Sequence, residues 1–79
     1  MSKQLLRSGT SIGANIREAF YAHGKADFIA KLQIALKECY ETEYWLEVLF
    51  NVKAIDDIAY KTMQSKCGTI RRKLIASIT

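Results

Sequence analysis

The chain has 79 residues, a formal net charge of +4 and no proline, with 49% hydrophobic and 25% charged residues. This composition argues against disorder and favours one all-helical domain spanning residues 1–79. No apolar run approaches the ~20 residues of a membrane span, so we expect a cytoplasmic protein without a membrane partner. Cys39 and Cys67 fall on apolar stripes and are predicted to be buried free thiols.

The first predicted helix covers residues 3–21. Its apolar stripe is formed by Leu5, Gly9, Ile12, Ile16 and Phe20. Gly9 and Gly13 lie four residues apart on one face, and each glycine costs a helix about 1 kcal/mol relative to alanine. We therefore predict that the two glycines allow another helix to pack closely against this one.

The second predicted helix covers residues 26–51, after a break at Gly24, and is apolar on two faces. One stripe contains Phe28, Leu32, Ala35, Leu36, Cys39, Leu46 and Phe50. The other contains Ile34, Tyr44, Trp45, Val48 and Val52. A helix that is apolar on two faces is buried on both, so this helix is predicted to be central in the chain or shared with a neighbouring subunit. Trp45 is the predicted interface anchor.

The third predicted helix covers residues 55–78. Its stripe contains Ile55, Ile58, Ala59, Met63, Cys67, Ile70, Leu74 and Ile78. The short connections make successive helices antiparallel, as in an up-and-down bundle. Three such helices leave an apolar groove that a fourth helix would close.

Two blocks of the sequence carry a family resemblance. Residues 4–16 read QLLRSGTSIGANI and are followed by Glu18-Ala19, and the second block reads DFIAKL at 27–32, ALKE at 35–38 and ETEYWL at 41–46. In this order and spacing they resemble the four-helix bundle proteins called 23S rRNA intervening-sequence proteins, or S23-type proteins. The resemblance implies a left-handed antiparallel bundle that assembles into a ring, usually a homopentamer. It also implies kinship with accessory proteins of diversity-generating retroelements, whose basic ring contacts nucleic acid and a reverse transcriptase.

The amino terminus departs from that family pattern. Members usually carry a whole helix before the QLLRS segment, and Met1-Ser2-Lys3 leaves no room for it. We therefore expect an all-α antiparallel bundle of the four-helix family with its first helix missing. A three-helix protomer of this kind would complete its bundle by association.

Arg7 is the first candidate for a specific contact. If the first two helices form a hairpin about Gly24, Arg7 falls level with Glu41 or Glu43. This predicts an ion pair that fixes the register of the two helices, and loss of Arg7 is expected to unfold or disassemble the protein. A ligand contact and a solvated surface are the alternative roles for Arg7.

Catalytic and metal-binding patterns are weak in this sequence. The single histidine, His23, lies in the predicted hinge, away from the acidic cluster of the second helix. The run from Gly9 to Gly13 lacks the Gly-Lys-Ser/Thr that ends a phosphate-binding loop. We expect no catalytic residues, no metal, no cofactor and no enzyme activity.

The basic residues are the remaining candidates for function. After Asp57 the chain has no acidic residue but carries Lys61, Lys66, Arg71, Arg72 and Lys73. This asymmetry predicts a positive surface that binds nucleic acid, RNA favoured over DNA, through salt-sensitive phosphate contacts. A solvated helix face is the alternative interpretation. The alternative function is a scaffold for a protein partner, such as part of a reverse transcriptase, bound through the second apolar face and Trp45.

Overall fold

The computed structural model describes residues 2–79. It folds this part of the chain into three helices, α1 (Ser2–Phe20), α2 (Lys25–Asn51) and α3 (Asp57–Ile78). Each begins and ends within two residues of the predicted bounds. Helix α2 packs against both α1 and α3, whereas over residues 2–79 the backbones of α1 and α3 do not approach each other closely. The result is a flat bundle measuring 44 × 22 × 13 Å, with α2 in the centre and one side open between the outer helices.

The turn between α1 and α2 depends on a glycine. Gly24 has a φ of 141°, a value that residues with a Cβ atom rarely adopt. It occupies the N-cap position of α2 rather than ending α1, and its carbonyl accepts a hydrogen bond from the Phe28 N–H at 3.0 Å. His23 is exposed in this turn, as predicted.

The turn between α2 and α3 is closed by a Schellman motif. The Ala54 N–H donates to the Leu49 carbonyl at 2.8 Å, and the Lys53 N–H donates to the Phe50 carbonyl at 3.0 Å. Lys53 therefore occupies the left-handed position, with a φ of 60°. Helix α3 begins two residues later than predicted because the Asp56 side chain caps it, accepting a hydrogen bond from the Ala59 N–H at 2.7 Å.

The core follows the first predicted stripe of α2. The buried hydrophobic residues are Ile12, Ala19, Leu32, Ala35, Cys39, Leu46, Leu49, Cys67 and Leu74. Both cysteines are buried and free, which confirms the prediction. The second stripe of α2 is not buried within the chain, since Ile34, Tyr44 and Val52 are exposed. Phe20 and Ile58, which the sequence places on apolar stripes, lie at the surface and are 78% and 79% exposed.

The close helix packing predicted at Gly9 and Gly13 is not made by any contact within residues 2–79. Both glycines are exposed, and a Cβ atom added to either would meet nothing within 4 Å. The reason is a rotation of α1 by about one residue. Ser8, Ile12 and Ala19 face α2, so the glycine edge of the helix turns away from the α1–α2 contact.

A membrane crossing finds no support in the helices. Over residues 2–79, none of them is both long enough and apolar enough to span a bilayer.

Candidate nucleic-acid interface and open groove

Helix α3 exposes four of its five basic residues. Cys67 and Leu74 point inwards, and the helical period places Lys61, Lys66, Arg72 and Lys73 at exposed positions. Hydroxyl side chains lie among them on the same exposed surface, namely Thr62, Ser65 and Thr69. We call this surface the α3 outer face. From residue 58 to residue 79 it contains no Asp or Glu side chain.

The five predicted basic residues divide into two groups. Lys61 Nζ lies 3.2 Å from Asp57 Oδ2, and Arg71 Nε donates to Glu43 Oε1 at 2.9 Å. Within the described chain, Lys66, Arg72 and Lys73 have no carboxylate within 4 Å. These three cations can therefore meet an external anion without giving up an ion pair within the described chain.

Arg71 contacts α2 and is not a freely exposed cation. Its side chain and that of Glu43 are both more than two-thirds buried, and its guanidinium lies 6.0 Å from the centre of the Tyr40 ring. The main role of Arg71 is therefore to hold α3 against α2. The neighbouring Arg72 is exposed and donates from Nη2 to Thr69 Oγ1 at 3.3 Å.

Arg7 lies beside Glu41, one of its two predicted partners. Its Nη2 atom donates to Glu41 Oε2 at 2.8 Å, and its Nη1 atom lies 3.4 Å from Glu38 Oε2. The Glu41 hydrogen bond and the Glu38 charge raise the pKa of Arg7 above its ordinary value. Glu43, the other predicted partner, is wrong for this role, because it lies on the opposite edge of α2 and pairs with Arg71.

The expectation that loss of Arg7 unfolds the protein is also not supported by its position. The Arg7 side chain is 55% exposed, and solvent screens an ion pair in that environment. Glu38 is the more buried partner at 12% exposed, and its Oε2 atom makes no hydrogen bond within residues 2–79. The pair orients two helices that other contacts hold together.

One of those other contacts, a hydrogen bond between α1 and α2, was not predicted from the sequence. Thr42 donates to Ser8 Oγ at 2.9 Å, and Ser8 in turn donates to the Leu5 carbonyl at 3.2 Å. Both side chains are buried between α1 and α2. Ser8 follows Arg7 and Thr42 follows Glu41, so the register that pairs Arg7 with Glu41 also brings these two hydroxyls together.

The two thiols are not candidates for nucleophilic chemistry at neutral pH. Burial raises the pKa of Cys39 from its ordinary 9.0 to about 11, and burial also raises the pKa of Cys67. Cys39 Sγ instead makes a weak contact with the Cys67 carbonyl at 3.6 Å. No three His, Cys, Asp or Glu side chains in the described range converge as metal ligands.

The open side of the bundle contains two apolar cavities in succession. The first, of about 400 Å³, is lined by Leu5, Leu6, Gly9, Thr10, Thr42, Leu46, Met63, Lys66 and Cys67. The second, of about 340 Å³, is lined by Ile16, Ala19, Phe20, Phe28, Leu32, Ile70, Lys73, Leu74 and Ser77. Each has α1 on one wall, α3 on the other and α2 as its floor. We call the two cavities together the open groove.

Trp45 lies outside this groove, on α2. It is half-buried and packs edge-to-face against Tyr44, with ring centres 5.1 Å apart and an angle of 71° between the rings. Tyr44 itself is exposed, together with Ile34 and Val52. The aromatic pair belongs to the second apolar stripe of α2 and lines neither cavity of the groove.

These features define an all-α antiparallel bundle with one open side and a basic third helix. Residues 1–76 match the family of the 23S rRNA-intervening sequence protein, and the chain belongs to that family. Over its whole length the chain is also similar to the crystal structure of a protein of unknown function from the S23 ribosomal protein family of Bacteroides thetaiotaomicron VPI-5482. The TM-score is 0.98 at 56% identity, and the match covers 100% of this chain and 73% of that one. No curated protein matches the chain.

Proposed function

We propose that this protein is a non-enzymatic nucleic-acid-binding protein that contacts phosphates through the α3 outer face. The observation that supports this most strongly is the exposed set Lys66, Arg72 and Lys73, none of which has a carboxylate within 4 Å over residues 2–79. Phosphate neutralisation by such side chains supplies affinity that does not depend on base sequence.

The arrangement of the acidic residues favours the same surface. Glu38, Glu41 and Glu43 on α2 are held by Arg7 and Arg71, and none of them lies on α3. The α3 outer face therefore presents positive charge together with hydroxyl donors, both of which bind phosphate oxygens. RNA is the preferred ligand in this proposal. The family description names 23S rRNA and the similar crystal structure comes from a family named as ribosomal, and both names support RNA.

Association would multiply this surface. Ile34, Tyr44 and Val52 form an exposed apolar strip on α2, and the half-buried Trp45 lies beside it. In the proposal this strip is the contact between copies of the chain, with Trp45 as its anchor. Sedimentation equilibrium should give a mass above 9.0 kDa for the natural chain, and Tyr44→Glu should lower that mass. A monomeric natural chain would exclude this part of the proposal.

The binding test uses two variants that lose the same charge. In the first, Lys66, Arg72 and Lys73 are changed to Gln. In the second, Arg17, Lys25 and Lys37 are changed to Gln, and these residues are likewise one arginine and two lysines, all exposed but outside α3. Fluorescence anisotropy with a labelled structured RNA should show a loss of roughly 100-fold for the first variant and about threefold or less for the second. Equal losses in the two variants would mean that only net charge matters.

A second candidate function, a scaffold for a protein partner, is favoured by a different observation. The open groove presents Leu6 at 69% exposure and Phe20 at 78% exposure, one beside each cavity. Exposed apolar side chains that flank apolar cavities are typical of a protein contact.

A further inference from the structure

A polar cavity lies between α2 and α3, apart from the open groove. Its volume is about 360 Å³, and over residues 2–79 only α2 and α3 supply its walls. Three of its lining residues are cations and none is hydrophobic, in contrast to the two cavities of the groove. Around Gly68 the lining residues are Glu43, Lys61, Gln64, Ser65, Arg71 and Arg72. We call this cavity the Gly68 pocket.

Gly68 is the point on which two arginine side chains converge. It lies inside α3, where glycine is less favourable than any residue except proline, and it is nevertheless buried. The atoms nearest to the position that its Cβ would take are guanidinium atoms. Arg72 Nη1 lies 3.3 Å from that position and Arg71 Nη2 lies 3.6 Å from it. Because Gly68 has no side chain, two guanidinium groups fold over the helix at the same place.

The two guanidinium groups leave an excess of positive charge in the pocket. Both nitrogens lie within 3.6 Å of one point, so they are less than about 7 Å apart, and like charges repel at that distance. Glu43 offsets part of this charge, because its Oε1 atom accepts a hydrogen bond from Arg71 Nε at 2.9 Å. Lys61 contributes a third cation to the lining, although Asp57 pairs with it at 3.2 Å. An anion placed between the two arginines would relieve their repulsion.

The donors that remain suit the oxygen atoms of a phosphate group. Glu43 engages the Nε side of Arg71, whereas Nη2 of the same guanidinium lies on the Gly68 side. Arg72 donates from Nη2 to Thr69 Oγ1 at 3.3 Å, and its Nη1 atom is the one nearest to Gly68. Planar guanidinium groups match pairs of phosphate oxygens, with N–H···O distances of about 2.8 Å. A phosphate at this position would accept hydrogen bonds from both arginines.

We propose that the Gly68 pocket holds one backbone phosphate of a bound nucleic acid between the guanidinium groups of Arg71 and Arg72. The nucleic acid then continues along the α3 outer face, because Lys61, Ser65 and Arg72 belong both to the pocket and to that face. This inference rests on the proposed function and adds to it a defined position for one phosphate. It also gives Arg71 a ligand contact through Nη2, beside its pairing with Glu43 through Nε.

The first test fills the pocket without removing a charge. In Gly68→Leu the new side chain displaces the ends of two flexible arginines and no backbone atom. The probe is an RNA hairpin labelled in its loop and carrying hydroxyl groups at both ends, so that it offers backbone phosphates alone. Fluorescence anisotropy should show about tenfold weaker binding, the effect of losing charge-assisted hydrogen bonds. The slope of log K against log salt concentration should become shallower by about 0.9, the share of one phosphate.

Ala76→Leu is the matched control for Gly68→Leu. Ala76 is exposed on α3, one turn after Arg72, and does not line the pocket. The same leucine side chain is added there, and RNA affinity and salt slope should both stay unchanged.

Arg72→Lys tests the pair of guanidinium groups with the charge and the space at Gly68 preserved. A lysine ammonium is a point charge and lacks the planar set of donors, so RNA binding should fall about fivefold. Arg17→Lys, at an exposed arginine of α1, should leave RNA binding unchanged. This pair of variants decides the question even if Gly68→Leu melts below the natural chain.

Equal RNA affinity of Gly68→Leu and Ala76→Leu, both folded by circular dichroism, would overturn the pocket assignment. If Lys66→Gln/Lys73→Gln weakens RNA binding in that same experiment, the α3 outer face still binds phosphates and only the pocket is wrong. A natural chain that binds no RNA would overturn the proposed function itself. Binding that requires a 5′-phosphate on the hairpin would also overturn the inference, because the ligand would then be a terminal phosphate.

Discussion

The contact between Ser8 and Thr42 places two hydroxyl groups in an apolar interface, where each is satisfied only by a precise neighbour. Thr42 lies 2.9 Å from Ser8 Oγ and 2.8 Å from the Glu38 carbonyl. A net hydrogen bond of this kind contributes about 1 kcal/mol. The pair therefore helps to set the register between α1 and α2 and is not a main source of stability.

A double-mutant cycle at this contact measures its coupling. We expect Ser8→Ala and Thr42→Val to lose stability singly, with a coupling free energy of about 0.5–1 kcal/mol between them in urea unfolding. Additive effects of the two substitutions would show that the hydroxyls do not interact in solution.

Ionisation of the Cys39 thiol is expected to lower the stability of the folded protein at alkaline pH. Its pKa is about 11 in the folded chain and near 9.0 when exposed, so the folded state holds the thiol proton more tightly. The unfolded state binds fewer protons between these values, and stability is therefore complete below about pH 9 and falls as the pH rises towards 11. Urea unfolding should show the natural chain losing about 1–2 kcal/mol more than Cys39→Ala between about pH 8 and pH 10.5. Parallel losses in the two proteins would contradict the assignment to Cys39.

At the scale of the helices, the sequence predicts which elements form but not how each is rotated. The apolar period placed all three helices and the stripe of α2 that holds Leu32, Cys39 and Leu46. It did not distinguish Ser8 from Gly9 as the contact residue of α1, because both are small and adjacent. It also could not choose between Glu41 and Glu43 for Arg7, since that choice depends on which edge of α2 is taken by α3.

The rotation of α1 makes a prediction about its glycines. With open space at both Cβ positions, Gly9→Ala and Gly13→Ala should each stabilise the chain by about 1 kcal/mol, the helix-propensity difference. For a domain of this size that raises the melting temperature by roughly 4–8 °C per substitution. A lowered melting temperature for either variant would indicate that another backbone contacts that glycine in solution.

The end of α2 contains a residue in an unfavourable conformation. Lys53 occupies the left-handed position of the Schellman motif, which costs a residue with a Cβ atom about 1–2 kcal/mol. After the larger entropy loss of glycine is subtracted, Lys53→Gly should stabilise the protein by about 0.5–1 kcal/mol in urea unfolding. Lys53→Ala serves as the control, because it removes the charge and keeps the Cβ atom. Equal stability of the glycine and alanine variants would mean that the strain is absent.

At the scale of the whole molecule, the open groove and the α3 outer face lie on different sides of one helix but share Lys66 and Lys73 at their boundary. The sequence places all five of these basic residues after Asp57. Only the tertiary structure shows that Arg71 pairs with a carboxylate of α2, whereas the pair of Lys61 with Asp57 has the i,i+4 spacing of neighbours on a single helix. Composition records charges, whereas the availability of each charge depends on its neighbours in space.

The most direct test of the proposed function is the salt dependence of RNA binding by the natural chain and by the variant with Lys66, Arg72 and Lys73 changed to Gln. Each phosphate neutralised contributes about −0.9 to the slope of log K against log salt concentration on a duplex. We therefore expect the slope per chain to become shallower by about 2–3 in the variant. An unchanged slope, or an RNA affinity of the natural chain that does not respond to salt, would contradict the proposal that the α3 outer face binds phosphates.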